Sequence, residues 1–186
     1  MSLVPLCEWL ASTHWSIALH ESLYVYPLVE TFHVLALLLF VGTVIFVDLR
    51  LLGWVFREVP VSEITARILP WTIGGFVIVF ITGTLLFYAI PVRTYQSIFF
   101  RIKVILIVAN VINAVFFHHY VNRGAVTWDS KPTPPLRARV AGGVSLLAWA
   151  SVIVMGRMIA YNWFDCDRQP QSDFVNWAAG CVLMVP

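Results

Sequence analysis

Residues 28 to 53, LVETFHVLALLLFVGTVIFVDLRLLG, set Glu30, His33 and Asp48 into an otherwise apolar run. Two carboxylates and an imidazole can carry protons, hold a small cation or ligate a metal. At 100° per residue Glu30 and Asp48 share a helical face, and His33 lies about 60° away. An ionisable group in lipid costs about 2.5–3.5 kcal/mol on the insertion scale, so an acid and an imidazole kept together in one span call for a function or for partners. The simplest pairing sets Glu30 against Lys103, at nearly the same depth. His33 is then left near Asn110 and Asn113, open to a ligand. A neutral imidazole can bind haem iron through one nitrogen while a carboxylate or carbonyl orients the other. His33 is therefore the first candidate iron ligand and His118 the second, with Lys103, Arg101 and Arg157 placed to hold propionates.

Each of these residues also has a plain structural role available. His33 can bond to Glu30 or to an Asn, and Glu30, Asn110, Asn113 and Asp48 can form a polar cluster that locks helices together. Lys103, Arg101 and Arg157 can snorkel to an interface. His118 and His119 can be interfacial, and Asp48 can pair with Arg50.

The elements that must position these side chains are membrane helices. The chain of 186 residues is 60% hydrophobic and 12% charged; its mean hydropathy is +0.82. Soluble domains carry about 25% charged residues. Four runs are long enough to cross a bilayer at about 20 residues each: 24–47, 71–90, 98–120 and 140–161. They lack the alternation of a barrel strand, which leaves helices to satisfy the backbone in lipid. Pro70 marks the start of the second span. Residues 122–139, rich in Pro and charge, form a loop. The segment 7–23 is mildly amphipathic and fits an interfacial helix ahead of Pro27, and 162–186 form an extramembrane tail. The expectation is one membrane domain over 1–186: an all-α four-transmembrane-helix bundle.

Arg50, Arg57, Arg67, Arg123, Lys131, Arg137 and Arg139 fall in the first and third loops. By the positive-inside rule these loops are cytoplasmic and both termini periplasmic. No Lys or Arg precedes residue 50, so the basic region of a cleaved signal peptide is absent. Trp9, Trp15, Tyr24, Tyr26, Tyr88, Tyr95, Trp163 and Trp177 make one aromatic belt; Trp54, Trp71, Tyr120 and Trp128 make the other. On the third span Lys103 and Asn110 share a face; on the fourth, Ser145, Trp149 and Gly156 do, with Arg157 further round. In an oxidising periplasm a Cys166–Cys181 disulfide closes a fifteen-residue loop, a linkage that contributes up to about 3 kcal/mol. Cys7 is the competing partner.

The stretches YPLVETFHVLALLLFVG, DLRLLG, FFRIKV, NAVFFH, SLLAWASVIVMGRMIAY and NWFDCD resemble a bacterial family of small four-span inner-membrane proteins with no assigned activity. The resemblance implies fold and location. Helix-borne histidines in a four-helix membrane protein are also similar, more distantly, to small b-type cytochromes. Haem b geometry is strained from the outset, because counting from the span starts sets His33 and His118 at depths that differ by roughly 15 Å.

No CxxCH, GxSxG, HExxH, phosphate-binding loop or dinucleotide fingerprint occurs in the sequence, and four scattered Met residues make no thioether copper path. A stand-alone enzyme is not indicated. Three functions remain: a haem b electron-transfer subunit working with other membrane or periplasmic redox subunits, an accessory subunit without cofactor, and a small proton- or metal-conducting transporter. The last needs a homo-oligomer to make a path. The expected surroundings are the bilayer of the bacterial inner membrane. The net charge of +2 suggests no nucleic-acid partner.

Overall fold

The computed structural model describes residues 3–124, 128–161, 163–164 and 166–181, the side chains of 120–124 apart. Tyr120 and Arg123, counted above for the belt and the charge bias, therefore lie outside the described side chains, as does the segment 182–186. Among the described residues eight helices follow in order: α1 (Val4–Ala11), α2 (His14–His20), α3 (Val25–Leu52), α4 (Val61–Ala89), α5 (Pro91–Tyr95), α6 (Ile98–Gly124), α7 (Leu136–Tyr161) and α8 (Asp173–Ala179). No strand occurs among the described residues. Helices α3, α4, α6 and α7 are long and apolar enough to cross a membrane. Their large apolar side chains face outward: Leu38 is 73% exposed, and Phe116 and Leu147 are each 71% exposed. A surface of that kind has lipid as its solvent, and the protein is an all-α, multi-pass membrane protein.

The boundaries differ from the sequence reading where local chemistry overrides a Pro or a charge. Helix α4 starts at Val61 and not near Trp71, and Pro70 lies inside it. Pro70 lacks only its own N–H, a loss that membrane helices tolerate. What fixes the earlier start is a cap from a distant loop. The Asp129 carboxylate accepts the Ser62 backbone N–H at 2.8 Å and the Ser62 hydroxyl as well, satisfying donors that a helix start leaves open. The segment 7–23 is two short helices, not one: Thr13 has extended backbone angles and its side chain accepts from Ser16 N at the start of α2. Pro27 sits in the first turn of α3, where Pro fits.

The residues gather in two compact units. Unit one holds residues 1–32, 81–105 and 152–186; unit two holds 33–80 and 106–151. The four long helices contribute to both.

In unit one, α1 and α2 are tied to the end of α4 and to α5. The Thr13 and Tyr88 hydroxyls are 2.6 Å apart, the Ser16 hydroxyl donates to the Tyr88 carbonyl at 2.8 Å, and Leu3 N donates to the Tyr95 hydroxyl at 3.3 Å. A disulfide joins Cys166 to Cys181, leaving Cys7 free and buried. Arg101 reaches the same tail: it donates to the Ala178 carbonyl at 2.8 Å and to the Tyr95 carbonyl at 3.2 Å, and stacks on the Tyr95 ring. A cation at the last carbonyls of α8 also suits the helix dipole. Gly180 ends α8 at φ 70°, a left-handed conformation that favours glycine, with the Arg101 guanidinium close beside it.

In unit two, Leu51, Val61, Trp128 and Ala138 form a buried cluster, with Val47 and Phe117 packed on it. Phe40 packs edge-on to Trp149, at 4.8 Å between centroids, and against Phe76 at 5.5 Å. Gly75 lets α4 close on α3, since a Cβ there would lie 3.0 Å from the Phe40 nitrogen.

Candidate functional site

Contacts inside unit two fix the register of its helices. From α3 to α7, Phe40 meets Trp149, Asp48 bonds to Ser145, and Leu51 abuts Gly142. As α3 advances α7 retreats, so the two are antiparallel. From α6 to α7, the Asn113 amide donates to the Ala141 carbonyl at 3.1 Å and Phe117 packs on the cluster containing Ala138. Helix α6 is therefore also antiparallel to α7 and parallel to α3. Asp48, Asn113, Ser145 and the 141–142 backbone occupy one layer. Asn110, one turn before Asn113 on the antiparallel α6, is thereby brought to the depth of Ser145.

This layer is buried and polar. Asp48 is 4% exposed and Asn110 3%. One Asp48 carboxylate oxygen takes the Ser145 hydroxyl, and Oδ2 makes no hydrogen bond. Neither Oδ1 nor Nδ2 of Asn110 makes one either. Next to the layer, the Thr72 hydroxyl donates to the Thr43 hydroxyl at 2.9 Å, and Thr43 donates onward to the Phe40 carbonyl at 2.7 Å. Buried polar atoms ordinarily find partners, which makes the open atoms on Asp48 and Asn110 the most telling feature of the unit.

Arg50 does not pair with Asp48, as the sequence reading allowed. It is fully buried, and its Nε donates to the Val59 carbonyl at 2.8 Å. Its Nη2 donates to the Lys131 carbonyl at 3.1 Å and the Asp129 carbonyl at 3.4 Å. Residues two apart on a helix do not face each other, so Arg50 ties down the loops while Asp48 faces α7. Sequence reasoning missed this clamp and the Asp129 cap. The signal available for both was a charged residue at each edge of an apolar run.

The two histidines are not brought together. Asn113 reaches Ala141 while Leu51 abuts Gly142, so Asn113 is level with the end of α3 and His118 lies at least eighteen residues of helix from His33. At 1.5 Å per residue that is about 27 Å along the helix, well beyond the span of one haem. His33 is half-buried, and His118 is exposed on α6. The pair does not fit a bis-histidine haem within one chain, because α3 and α6 run parallel with staggered starts. The described residues contain no group of three or more His, Cys, Asp or Glu side chains able to hold a metal.

The remaining candidates belong to unit one. Lys103 is half-buried against Gly156, where a Cβ would lie 3.4 Å from its Nζ. It forms no pair with Glu30. Glu30 is exposed and, with Arg93, acts on Tyr26. Arg157 is exposed and stacks on the Tyr161 ring at 5.2 Å, so it snorkels over an aromatic.

Four long apolar helices and one buried polar layer define a multi-pass integral membrane protein. The pattern of a family of unknown function, DUF6644, matches residues 18–162, and the chain belongs to that family. The match takes in the four long helices; the disulfide-bonded tail lies beyond it. No curated protein and no solved structure matches the chain.

Proposed function

We propose that the protein moves a cation, a proton or a small metal ion, through the bacterial inner membrane, with Asp48 as the group that binds it. One observation carries this reading: Asp48 is a carboxylate 4% exposed inside a membrane helix, with one oxygen unbonded and its nearest cation in sequence, Arg50, committed to loop carbonyls. A carboxylate at the centre of a membrane helix costs about 2.5–3.5 kcal/mol on the insertion scale, falling toward the end of the helix where Asp48 lies, and a cation that comes and goes would offset the cost. The Lys and Arg bias supports cytoplasmic first and third loops and periplasmic termini. A single four-helix chain offers little room for a path, which supports a homo-oligomer.

The test is flux. Protein reconstituted into liposomes with an internal pH dye and a potential-sensitive dye is challenged with pH and salt gradients. Flux above that of empty liposomes that disappears in Asp48→Asn is the expected result. Equal flux in both proteins would remove Asp48 from the mechanism. The haem reading, whose proposed second ligand His118 lies far from the depth of His33, is checked by the visible spectrum of protein expressed with ample haem. A Soret band lost in His33→Ala would restore it.

A further inference from the structure

We infer that Asp48, Asn110 and Ser145 together bind a hard monovalent cation of the size of sodium. The inference rests on the ion-moving reading above and names its ion. Three helices bring oxygen donors to one layer. Asp48 on α3 presents Oδ2, which makes no hydrogen bond. Asn110 on α6 presents Oδ1, also unbonded, from a side chain 3% exposed. Ser145 on α7 turns its hydroxyl hydrogen to the other Asp48 oxygen, leaving lone pairs on its own oxygen. Asn113 lies in the same layer and donates its amide N–H to the Ala141 carbonyl at 3.1 Å, which holds α6 against α7.

The donor set selects the ion. It is all oxygen, which suits hard cations and not the softer metals that take imidazole and thiolate. It carries one negative charge, so a monovalent ion leaves the layer neutral in its apolar setting, whereas a divalent ion leaves an uncompensated positive charge. A proton on Asp48 Oδ2 makes one O–H donor and serves one acceptor, whereas a cation gathers the Asp48, Asn110 and Ser145 oxygens at once. Arg50 does not compete, since its guanidinium is directed at the carbonyls of Val59, Asp129 and Lys131.

Thermal unfolding of the detergent-purified protein tests this, with sodium alone as the probe. Melting is compared in 100 mM sodium chloride and in choline chloride of equal ionic strength. For a dissociation constant of about 5 mM, sodium shifts the folding equilibrium about twentyfold and raises Tm by roughly 4–7 °C. The rise should vanish in Asp48→Asn and in Asn110→Leu. Asn110→Leu should itself melt higher than wild type in choline, because two unbonded amide atoms are gone, and that makes it a folded control. Identical wild-type melting in the two salts would overturn the inference, as would an undiminished sodium shift in Asn110→Leu. Asp48-dependent proton flux without sodium stabilisation would overturn the sodium site and leave the ion-moving reading standing. Loss of both would overturn both.

Discussion

The closest helix contact beside the polar layer makes a quantitative demand on Gly142. A Cβ built there would lie 2.9 Å from the Leu51 Cβ and 3.0 Å from the Asp48 carbonyl oxygen. Carbon atoms prefer roughly 3.5–4.0 Å, so Gly142→Ala is about half an ångström to one ångström too large. The atoms it meets are the backbone and Cβ of a packed helix, which cannot swing away as a side-chain end can. Helices α3 and α7 must separate or one must shift, at the usual overpacking cost of about 1–3 kcal/mol. For a chain of this size each kcal/mol lowers Tm by roughly 2–4 °C, giving a drop of roughly 2–12 °C. Gly42 and Gly74 are the internal controls, because a Cβ at either has nothing within 4 Å. Replacing them with Ala should leave Tm unchanged or raise it, since Ala is the better helix former by about 0.5–1 kcal/mol. Thermal unfolding in one detergent, followed by intrinsic fluorescence, compares all three. If Gly142→Ala melts with Gly74→Ala, the close approach of α3 and α7 at Asp48 is wrong, and the polar layer built on it goes too.

Arg50→Met should destabilise the protein by about 3 kcal/mol, since bonds to a charged donor contribute about 1.5–3 kcal/mol each and the relief of the unbonded Nη1 offsets part of the loss; a denaturant series showing less than about 0.5 kcal/mol would refute the clamp. Mass spectrometry under non-reducing conditions should find Cys166 and Cys181 linked, and their joint replacement by Ser should cost up to about 3 kcal/mol; two thiols free to alkylation would end that reading. Burial first, and then the neighbouring Glu8 carboxylate, push the Cys7 thiol above its usual range. Cys7 should therefore resist maleimide at pH 8 until the protein is denatured, and because the unfolded thiol loses its proton first, its contribution to stability should fall as pH rises through the ordinary thiol range. Reporters fused at Lys131 and after Pro186, the latter outside the described residues, should report opposite compartments; agreement would refute the orientation.

Hydropathy made the four spans readable, because lipid-facing helices carry apolar residues all round and need no periodicity to be found. Their ends were less readable. Pro70 reads as a helix start in one dimension; the residue that extends α4 to Val61 is Asp129, 67 residues from the Ser62 it caps. The depth of His33 relative to His118 was taken from span starts on the assumption of a common plane. The stagger between α3 and α6 is set by contacts such as Asn113 with Ala141 and Leu51 with Gly142, which no span count contains, and it widens roughly 15 Å to about 27 Å. Lys103 and Glu30 matched in depth, but depth fixes only one coordinate of a pair, and Lys103 lies against Gly156 on α7. What could be read of the site was the choice of Asn110, Asn113 and Asp48 as inward polar residues. Which of them would be left with open atoms could not be read.

The contrast between Asp48 and Arg50 bears most directly on function. Two opposite charges two residues apart in a lipid-embedded helix suggest mutual neutralisation, and in a loop or a fraying helix end they could achieve it. Here α3 stays helical through Leu52, which turns the two side chains about 160° apart around the axis. Each must then find its own compensation. Arg50 finds three carbonyl acceptors from the chain around it, all outside α3, for Nε and Nη2, while Nη1 stays open. Asp48 finds one hydroxyl, although the same fold could have supplied a backbone donor or a second side chain. The fold thus gives its buried cation three acceptors and its buried anion a single donor, with Arg50 Nη1 and Asp48 Oδ2 both left open. A permanent structural role would favour the opposite arrangement, with the carboxylate fully bonded, because breaking a buried network costs several kcal/mol. An anion kept short of partners beside the open amide of Asn110 is instead suited to a partner that can leave.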